Sequence, residues 1–454
     1  MTNRVVIIGG GAAGPKTAAK LRRENKEIKI DLFTQEDIIS YSACGLPYYI
    51  ENIIPDAETL IIRKPEDFEK QNIHIHLRQR CVQVKTEEKT VVLMDLVSHN
   101  IYEVQYDILV IATGAIPKIP DIKNINLKNI FTLRTVPDGV NIKDKMMKSK
   151  NAVLLGGGYI SIELLEALVS NNIHVTLIEH GDQILKMFDK DIADMIQEFI
   201  LKRDSDKVEI LTNETIVEFL GNEHDEVTGV ITSSGRKIDT DFVVLGTGVR
   251  PNTDFLEGSG IELGINNSIK VNSILRTSSF GVYAVGDCTD DFNLVTNRYT
   301  WVPMGSTANK EGRCAAINIA GGDCKFDGIM NSTITKYFTL TISIIGISYK
   351  EAENLGFRPE YAIVTKKDKA SYMPDAGLMT LKLIADKNTR TILGIQGIGE
   401  GEVNQRINTI IPAILGKTKL ETLINLDLPY APPYSPTIDP VLNAAQIVYQ
   451  KIIG

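Results

Sequence analysis

The sequence predicts an α/β fold: two Rossmann-like β-α-β units on parallel sheets, then a separate α+β domain. Three observations predict it. The segments "RVVIIGGGAAGPKTAAKLRR" (4–23) and "NAVLLGGGYISIELLEALVS" (151–170) read as copies of one unit. Each opens with a short β-branched run, as a strand buried on both faces does, then three glycines, then a helix-period pattern. A second strand closes each copy, "IKIDLF" (28–33) and "HVTLIE" (174–179). The last third, from about 326, alternates strand-like and helix-like patterns without a glycine fingerprint, as a separate α+β domain does.

The 454 residues are too many for one ordinary domain and predict two or three. With 43% hydrophobic and 23% charged residues the chain can bury sizeable cores. Lys and Arg number 49 against 57 Asp and Glu, a net charge of −8, and no basic stripe stands out, which argues against nucleic-acid binding. "MTNRVVIIGGG" enters a strand directly and lacks the parts of a signal peptide. The longest apolar candidate, "YFTLTISIIGISY" (337–349), is interrupted by Thr and Ser and reads as a strand, not a membrane span. Five scattered cysteines fit a reducing cytoplasm better than a disulfide framework, and six histidines without ligand spacing predict no metal site.

The glycines have a physical purpose. Gly9 and Gly156 permit a tight turn; Gly11 and Gly158 let the backbone approach a pyrophosphate, which the following helix N-terminus receives with amide donors. Ala12, Ala13 and Gly14 open the first helix, and Tyr159 and Ile160 the second. Ser161 stands where a third glycine is usual, adding only a small side chain at the helix–strand contact. Glu179 ends the second strand, placed to accept from ribose hydroxyls and repel a 2′-phosphate, favouring NADH over NADPH. The first unit has Thr34, then Gln35 and Glu36, at that place; Thr34 hydrogen-bonds a ribose, or Glu36 reaches back. "YDILVIATGAIPKIP" (106–120), with Thr113 and Gly114, and "DFVVLGTGVRPNTDF" (241–255), with Gly248, read as the exits of the two units. "FGVYAVGDCTD" (280–290) puts Gly286 and Asp287 at a strand end, where the carboxylate can meet a ribityl hydroxyl.

In this order the motifs resemble the FAD-dependent pyridine nucleotide–disulfide oxidoreductases over essentially the whole chain. The resemblance implies an FAD-binding domain over 1–115 and 246–325, an NAD(P)H-binding domain over 116–245, and a dimerisation domain over 326–454. It implies FAD on the first unit and Asp287, NADH on the second with Glu163 gating the nicotinamide, and a homodimer. Cys44, in "ISYSACGLPYYI" (39–50), has no second cysteine within thirty residues, and the last histidine is His224. The CxxxxC pair and C-terminal His-Glu pair of the two-cysteine enzymes are therefore missing. The single-cysteine branch comprises coenzyme A-disulfide reductases, polysulfide reductases, NADH oxidases and NADH peroxidases. Ala12 stands where the oxygen and peroxide enzymes usually carry histidine, and "CGLPYYI" is similar to the coenzyme A-disulfide and polysulfide enzymes. "SYMPDAG", with Tyr372, and "PYAPPYSP", with Tyr430, resemble the tyrosine segments with which the coenzyme A enzymes complete a partner's site. The likeness carries substrate contacts to Arg23 (or its neighbour Arg22), Ser40, Ala43 and Asn309, Ala43 replacing a usual Asn or Ser.

A cysteine at a helix start is expected to have a lowered pKa and to act as thiolate. It attacks a coenzyme A disulfide, holds one coenzyme A as a mixed disulfide, and is freed by two electrons originating in NADH. Tyr430 of the partner subunit is the expected proton donor to the leaving thiolate, with Tyr372 orienting. A coenzyme A persulfide or polysulfide would use the same pocket. The alternatives are an NADH oxidase reducing oxygen through a cysteine sulfenic acid, and a redox-sensing flavoprotein with little turnover. Cys81, Cys288, Cys314 and Cys324 read as structural, Trp301 as packing near the flavin, and "KDKMMKSK" (143–150) as a solvated helix end.

Overall fold

Each glycine loop leaves the middle strand of a five-stranded parallel sheet. The computed structural model describes residues 4–454. In the first sheet Arg4–Ile8 lies between Lys29–Phe33 and Ile108–Ile111, with Ile73–His76 and Val282–Ala284 at the edges. Val5, Val6 and Ile7 have no exposed surface, which is why this strand reads as a continuous apolar run rather than an alternating one. The second sheet repeats the order: Asn151–Leu155 lies between His174–Glu179 and Phe242–Leu245, with Val208–Thr212 and Ile130–Phe131 outside. In both units a three-stranded antiparallel sheet, Gln79–Gln105 or Ile216–Asp239, precedes the exit strand.

The C-terminal part is a five-stranded antiparallel sheet, ordered Thr333–Tyr337, Leu340–Gly346, Ile392–Gly399, Leu378–Asp386 and Pro359–Lys367. The helices Val403–Leu415 and Pro440–Ile453 share an apolar core with it. Of the segment 337–349, Leu340–Gly346 forms the strand and Tyr349 already opens a helix. Among the described residues no helix is long and apolar enough to cross a membrane.

Polar contacts lock this sheet onto the second unit. Thr335 Oγ1 donates to Glu163 Oε1 at 2.9 Å and Lys336 pairs with Glu166, both on the helix Tyr159–Ser170. Tyr337 OH donates to Asp204 Oδ2 at 2.7 Å. Lys382, its side chain 4% exposed, contacts Asp189 at 3.0 Å and Asp191 at 2.7 Å. Gln396 Nε2 adds a 2.8 Å bond to Asp189. Lys143 departs from the solvated helix end expected of it. It is buried, donates to the Tyr49 carbonyl at 2.8 Å and lies 3.9 Å from the Tyr49 ring centre, because its helix, Val136–Met146, packs on Leu46–Ile50.

The Lys382 lock yields a prediction. Lys382→Ala leaves the buried Asp189 carboxylate short of its cation and should destabilise the protein by about 3–5 kcal/mol. Urea unfolding, with loss of the C-terminal sheet at lower denaturant than in the wild type, measures it.

Candidate active site

The two glycine loops obey the same steric rule. Gly9 (φ 121°) and Gly156 (φ 104°) adopt a conformation that side chains resist. A methyl on Gly9 would stand 2.0 Å from the Ala112 carbonyl oxygen, and one on Gly156 2.4 Å from that of Gly246. Each loop thus packs on the backbone leaving its own exit strand. Gly14 is equally confined, since a methyl there would fall 2.0 Å from the Gly9 oxygen, whereas Gly11 and Gly158 face open space on the outside of their turns. Glycines required inside and bare glycines outside make an open backbone cradle, which fits a pyrophosphate at both loops. Ser161 is accommodated because it faces Gly246, where a methyl would fall 2.1 Å from the serine Oγ.

Around the first loop, Ser40 N donates to the Gly10 carbonyl at 2.8 Å in a left-handed turn (φ 55°). Thr34 is buried, and its Oγ1 accepts from Glu36 N at 3.3 Å; Gln35 beside it is exposed. The Glu36 Oε2 is buried without a protein partner, and burial raises that carboxyl above its ordinary range, with Tyr41 bonding opposing. Thr113 Oγ1 donates to the Asn252 carbonyl at 2.7 Å, Asn252 N to that of Gly114 at 2.9 Å, and Lys118 N to that of Gly248 at 3.0 Å, so the two exits are stitched together. Ala12 and Ala13 open the helix Ala13–Glu24, from whose last turn Arg23 projects to solvent, while Arg22 is held by backbone carbonyls including that of Asn72 at 2.7 Å. Asn309 is exposed on the helix Gly305–Ile319 and bonds its own helix at 2.9 Å.

Asp287 reaches Arg134 Nη2 at 3.0 Å, and its carbonyl accepts from Trp301 Nε1 at 2.9 Å, so the tryptophan anchors this turn beyond packing. The Gly286 N–H donates to the fully buried Glu311, whose carboxyl is raised well above its usual range by burial and by Asp291. Sequence reasoning missed Arg134 and Glu311. Each is one charged residue in an unremarkable stretch, and its role follows from what it meets across the fold.

Cys44 lies in the short turn Ala43–Gly45, just before the helix Leu46–Ile50. Solvent reaches its side chain in the isolated chain, although protein fills most of the surrounding volume. The lowered pKa expected of a helix start is not found. Burial raises the thiol above its ordinary value, and Glu163 and Asp287 raise it further, against Arg134. A five-residue helix has too little dipole to offset burial together with two carboxylates. Glu163 is itself raised by burial. Tyr159, at the start of the same helix, bonds Thr333, and Ile160 beside it is exposed.

The fold brings Cys44, Glu163, Asp287 and Arg134 together. The tyrosines form a second group: the loops carrying Tyr372 and Tyr430 are joined by Ala370 N donating to the Pro432 carbonyl at 3.2 Å, and by Arg406, which donates to the Asp368 carbonyl and to Asp439. Tyr372 is 73% exposed and Tyr430 50%.

The model of pyridine nucleotide-disulphide oxidoreductases matches residues 3–312, and that of their dimerisation domain residues 332–441. The chain belongs to this family. It is thus an oxidoreductase of a class that works with FAD and NAD(P)H. The oxidoreductase is 34% identical to the NAD(P)H sulfur oxidoreductase (CoA-dependent) of Pyrococcus abyssi, over 98% of each chain. It is 32% identical to an NADH oxidase of Methanocaldococcus jannaschii, over 99% of each. Its fold superimposes on reduced Bacillus anthracis CoADR-RHD with a TM-score of 0.95 at 32% identity, covering all of this chain and 81% of the other.

The two carboxylates make the Cys44 titration testable. Removing the Glu163 charge should stabilise the thiolate. Glu163→Gln should therefore move the midpoint of Cys44 alkylation against pH downward, by about one unit. Iodoacetamide labelling followed by peptide mass spectrometry reads it, and an unmoved midpoint would remove Glu163 from the field at the sulfur.

Proposed function

We propose that this oxidoreductase uses NAD(P)H to reduce coenzyme A disulfide, or a coenzyme A persulfide or polysulfide, through Cys44 alone. The observation that carries the reading is the isolation of this sulfur. Cys81 and Cys288 are buried; Cys288 points its Sγ at the Val285 and Ile111 carbonyls, and Cys314 sits beside Cys324 on another face of the first unit. An accessible cysteine without a protein partner needs its second sulfur from the substrate. The name of the Pyrococcus abyssi relative, a CoA-dependent sulfur oxidoreductase, supports that chemistry.

On this reading the first loop, with Thr34 and Asp287, holds FAD, and the second loop holds the nicotinamide dinucleotide. A bound flavin supplies the two-electron step between a nicotinamide hydride and sulfur. The Cys44 thiolate attacks one sulfur of the substrate disulfide, forming a mixed disulfide and expelling one coenzyme A thiolate. Two electrons and one proton then return the mixed disulfide to Cys44 thiolate and a second coenzyme A thiol. The raised thiol makes Cys44 a stronger base and nucleophile once ionised, and Arg134 opposes the carboxylates that disfavour ionisation. Ser40, Ala43, Asn309 and Arg23 are the proposed coenzyme A contacts. In a homodimer, Tyr430 of the partner subunit protonates the leaving thiolate and Tyr372 orients it. The exposure of both tyrosines and the dimerisation-domain match support this assignment.

Oxygen reduction is the second reading, favoured by the Methanocaldococcus jannaschii relative named NADH oxidase. One panel separates the two: coenzyme A disulfide, coenzyme A persulfide, polysulfide and oxygen, each with NADH. The proposal expects turnover with the coenzyme A species, loss of it to background in Cys44→Ser, and a coenzyme A adduct on Cys44 in the protein's mass spectrum. Fast turnover with oxygen alone would overturn it. Tyr430→Phe should lower disulfide turnover by about 10²-fold, the range of a lost proton donor, with the cysteine still forming its mixed disulfide.

A further inference from the structure

Two of the cysteines that take no part at Cys44 lie against each other. Cys314 is on the buried face of the helix Gly305–Ile319, 3% exposed, and Cys324 is partly exposed in the loop that follows. They stand ten residues apart, and the fold returns the chain to bring them together. The helix ends where Gly321 takes the left-handed conformation (φ 92°), which turns the chain back along the helix. Asn318, one turn after Cys314 on the same helix face, then clasps the returning chain. Its Oδ1 accepts from Cys324 N at 2.8 Å, and its Nδ2 donates to the Cys324 carbonyl at 2.8 Å. The same amide nitrogen lies 3.6 Å from Cys314 Sγ. Cys314 Sγ donates to the Cys324 carbonyl at 3.0 Å, and the two thiols are in hydrogen-bonding contact with each other.

The helix that carries Cys314 also supports the first unit. Its Glu311, within one turn of Cys314, accepts from the Gly286 N–H in the turn that presents Asp287, and it packs along the helix Ala13–Glu24. The chemistry of the thiol pair follows from the unequal exposure of its members. Cys324 is the sulfur that an incoming disulfide can reach. Burial raises the Cys314 thiol, and the neighbouring Cys324 thiol raises it further through a hydrogen bond and charge. Both of the Cys324 effects vanish once Cys324 is held in a mixed disulfide, so Cys314 ionises more readily when it is needed as the second nucleophile.

We infer that Cys314 and Cys324 form a second thiol pair, separate from Cys44, which low-molecular-weight disulfides oxidise to an intrachain disulfide that fastens the end of this helix. The Cys324 thiolate attacks one sulfur of the small disulfide, whose S–S bond breaks and releases one thiolate. Cys314 gives its proton to solvent, attacks the Cys324 sulfur and expels the second thiolate. The protein pair loses two electrons and the small disulfide gains them, leaving as two thiols after protonation. Bond formation draws the sulfurs to about 2 Å, with the movement on the irregular Cys324 side rather than on the helix. The cross-link closes a short loop and restricts the unfolded chain, which stabilises the folded one.

Trypsin reads the pair directly, because Arg313 and Lys325 bracket it and release residues 314–325 as one peptide with both cysteines. The Cys44→Ser holoenzyme is incubated with coenzyme A disulfide, freed of excess disulfide, denatured and alkylated with iodoacetamide. It should give this peptide without alkyl groups and two hydrogens lighter than the reduced form. With Cys314→Ser added, the intermediate has no second nucleophile and should accumulate as a coenzyme A adduct on Cys324. Oxidised Cys44→Ser should melt about 3–5 °C above its reduced form, a shift that adding Cys324→Ser abolishes. A peptide that stays doubly alkylated, or an adduct on Cys324 that persists beside a free Cys314, overturns the thiol pair. A disulfide that leaves the melting temperature unmoved overturns its fastening role. With Cys44 intact, Cys324→Ser should keep wild-type disulfide turnover; loss of turnover would place the pair in the catalytic cycle and overturn its separateness.

Discussion

Two carboxylates and one guanidinium meet around a single sulfur, and the rest of the site is organised by that meeting. Glu163 comes from the second unit, Asp287 from the strand end where the chain has returned to the first sheet, and Arg134 from the segment between the units. Cys44 comes from a turn beyond the first unit's second strand. Four segments distant in sequence must be brought near one another for this field to exist. Steric necessity does part of the holding. Gly9 and Gly156 lock their loops against the exits at Ala112 and Gly246, and only a residue without a side chain permits either contact.

The C-terminal sheet is part of the same arrangement. Its first strand supplies Thr335 to Glu163 and Lys336 to Glu166, and Lys336 also stands 5.8 Å from the Tyr48 ring, next to the cysteine helix. A residue of the dimerisation domain therefore touches the carboxylate that acts on Cys44. Lys382 and Gln396 secure the sheet through Asp189, deep enough that these charges must pair. The C-terminal sheet and a carboxylate that acts on the sulfur are joined through one strand.

Some of this was legible in the chain and some was not, for identifiable reasons. The glycine loops were legible because the demand for a bare backbone is local and recurs twice. Ser161 was tolerated on size alone, and the structure adds the reason: a glycine from the exit strand stands opposite it. The expected Cys44 thiolate rested on a helix start, a local cue, and was outweighed by burial and then by carboxylates that sequence proximity does not reveal. Glu179 carried the local sign of NADH preference; in the fold its two oxygens each accept one backbone amide, from Gly157 and Gly181, with His180 and Lys186 beside it. Lys143 stood in a run of charges and still went inside, because a neighbouring helix offered a carbonyl and an aromatic face.

The sequence alone determined the two parallel units, the family and the cysteine without a protein partner, because these depend on residue type at fixed local spacing. Tertiary structure decided the titration of that cysteine, which groups surround Glu179 and which strand reaches the site. Those properties are sums over charges and donors that approach only when the chain is folded, and Coulomb forces follow distance in space, not position along the backbone.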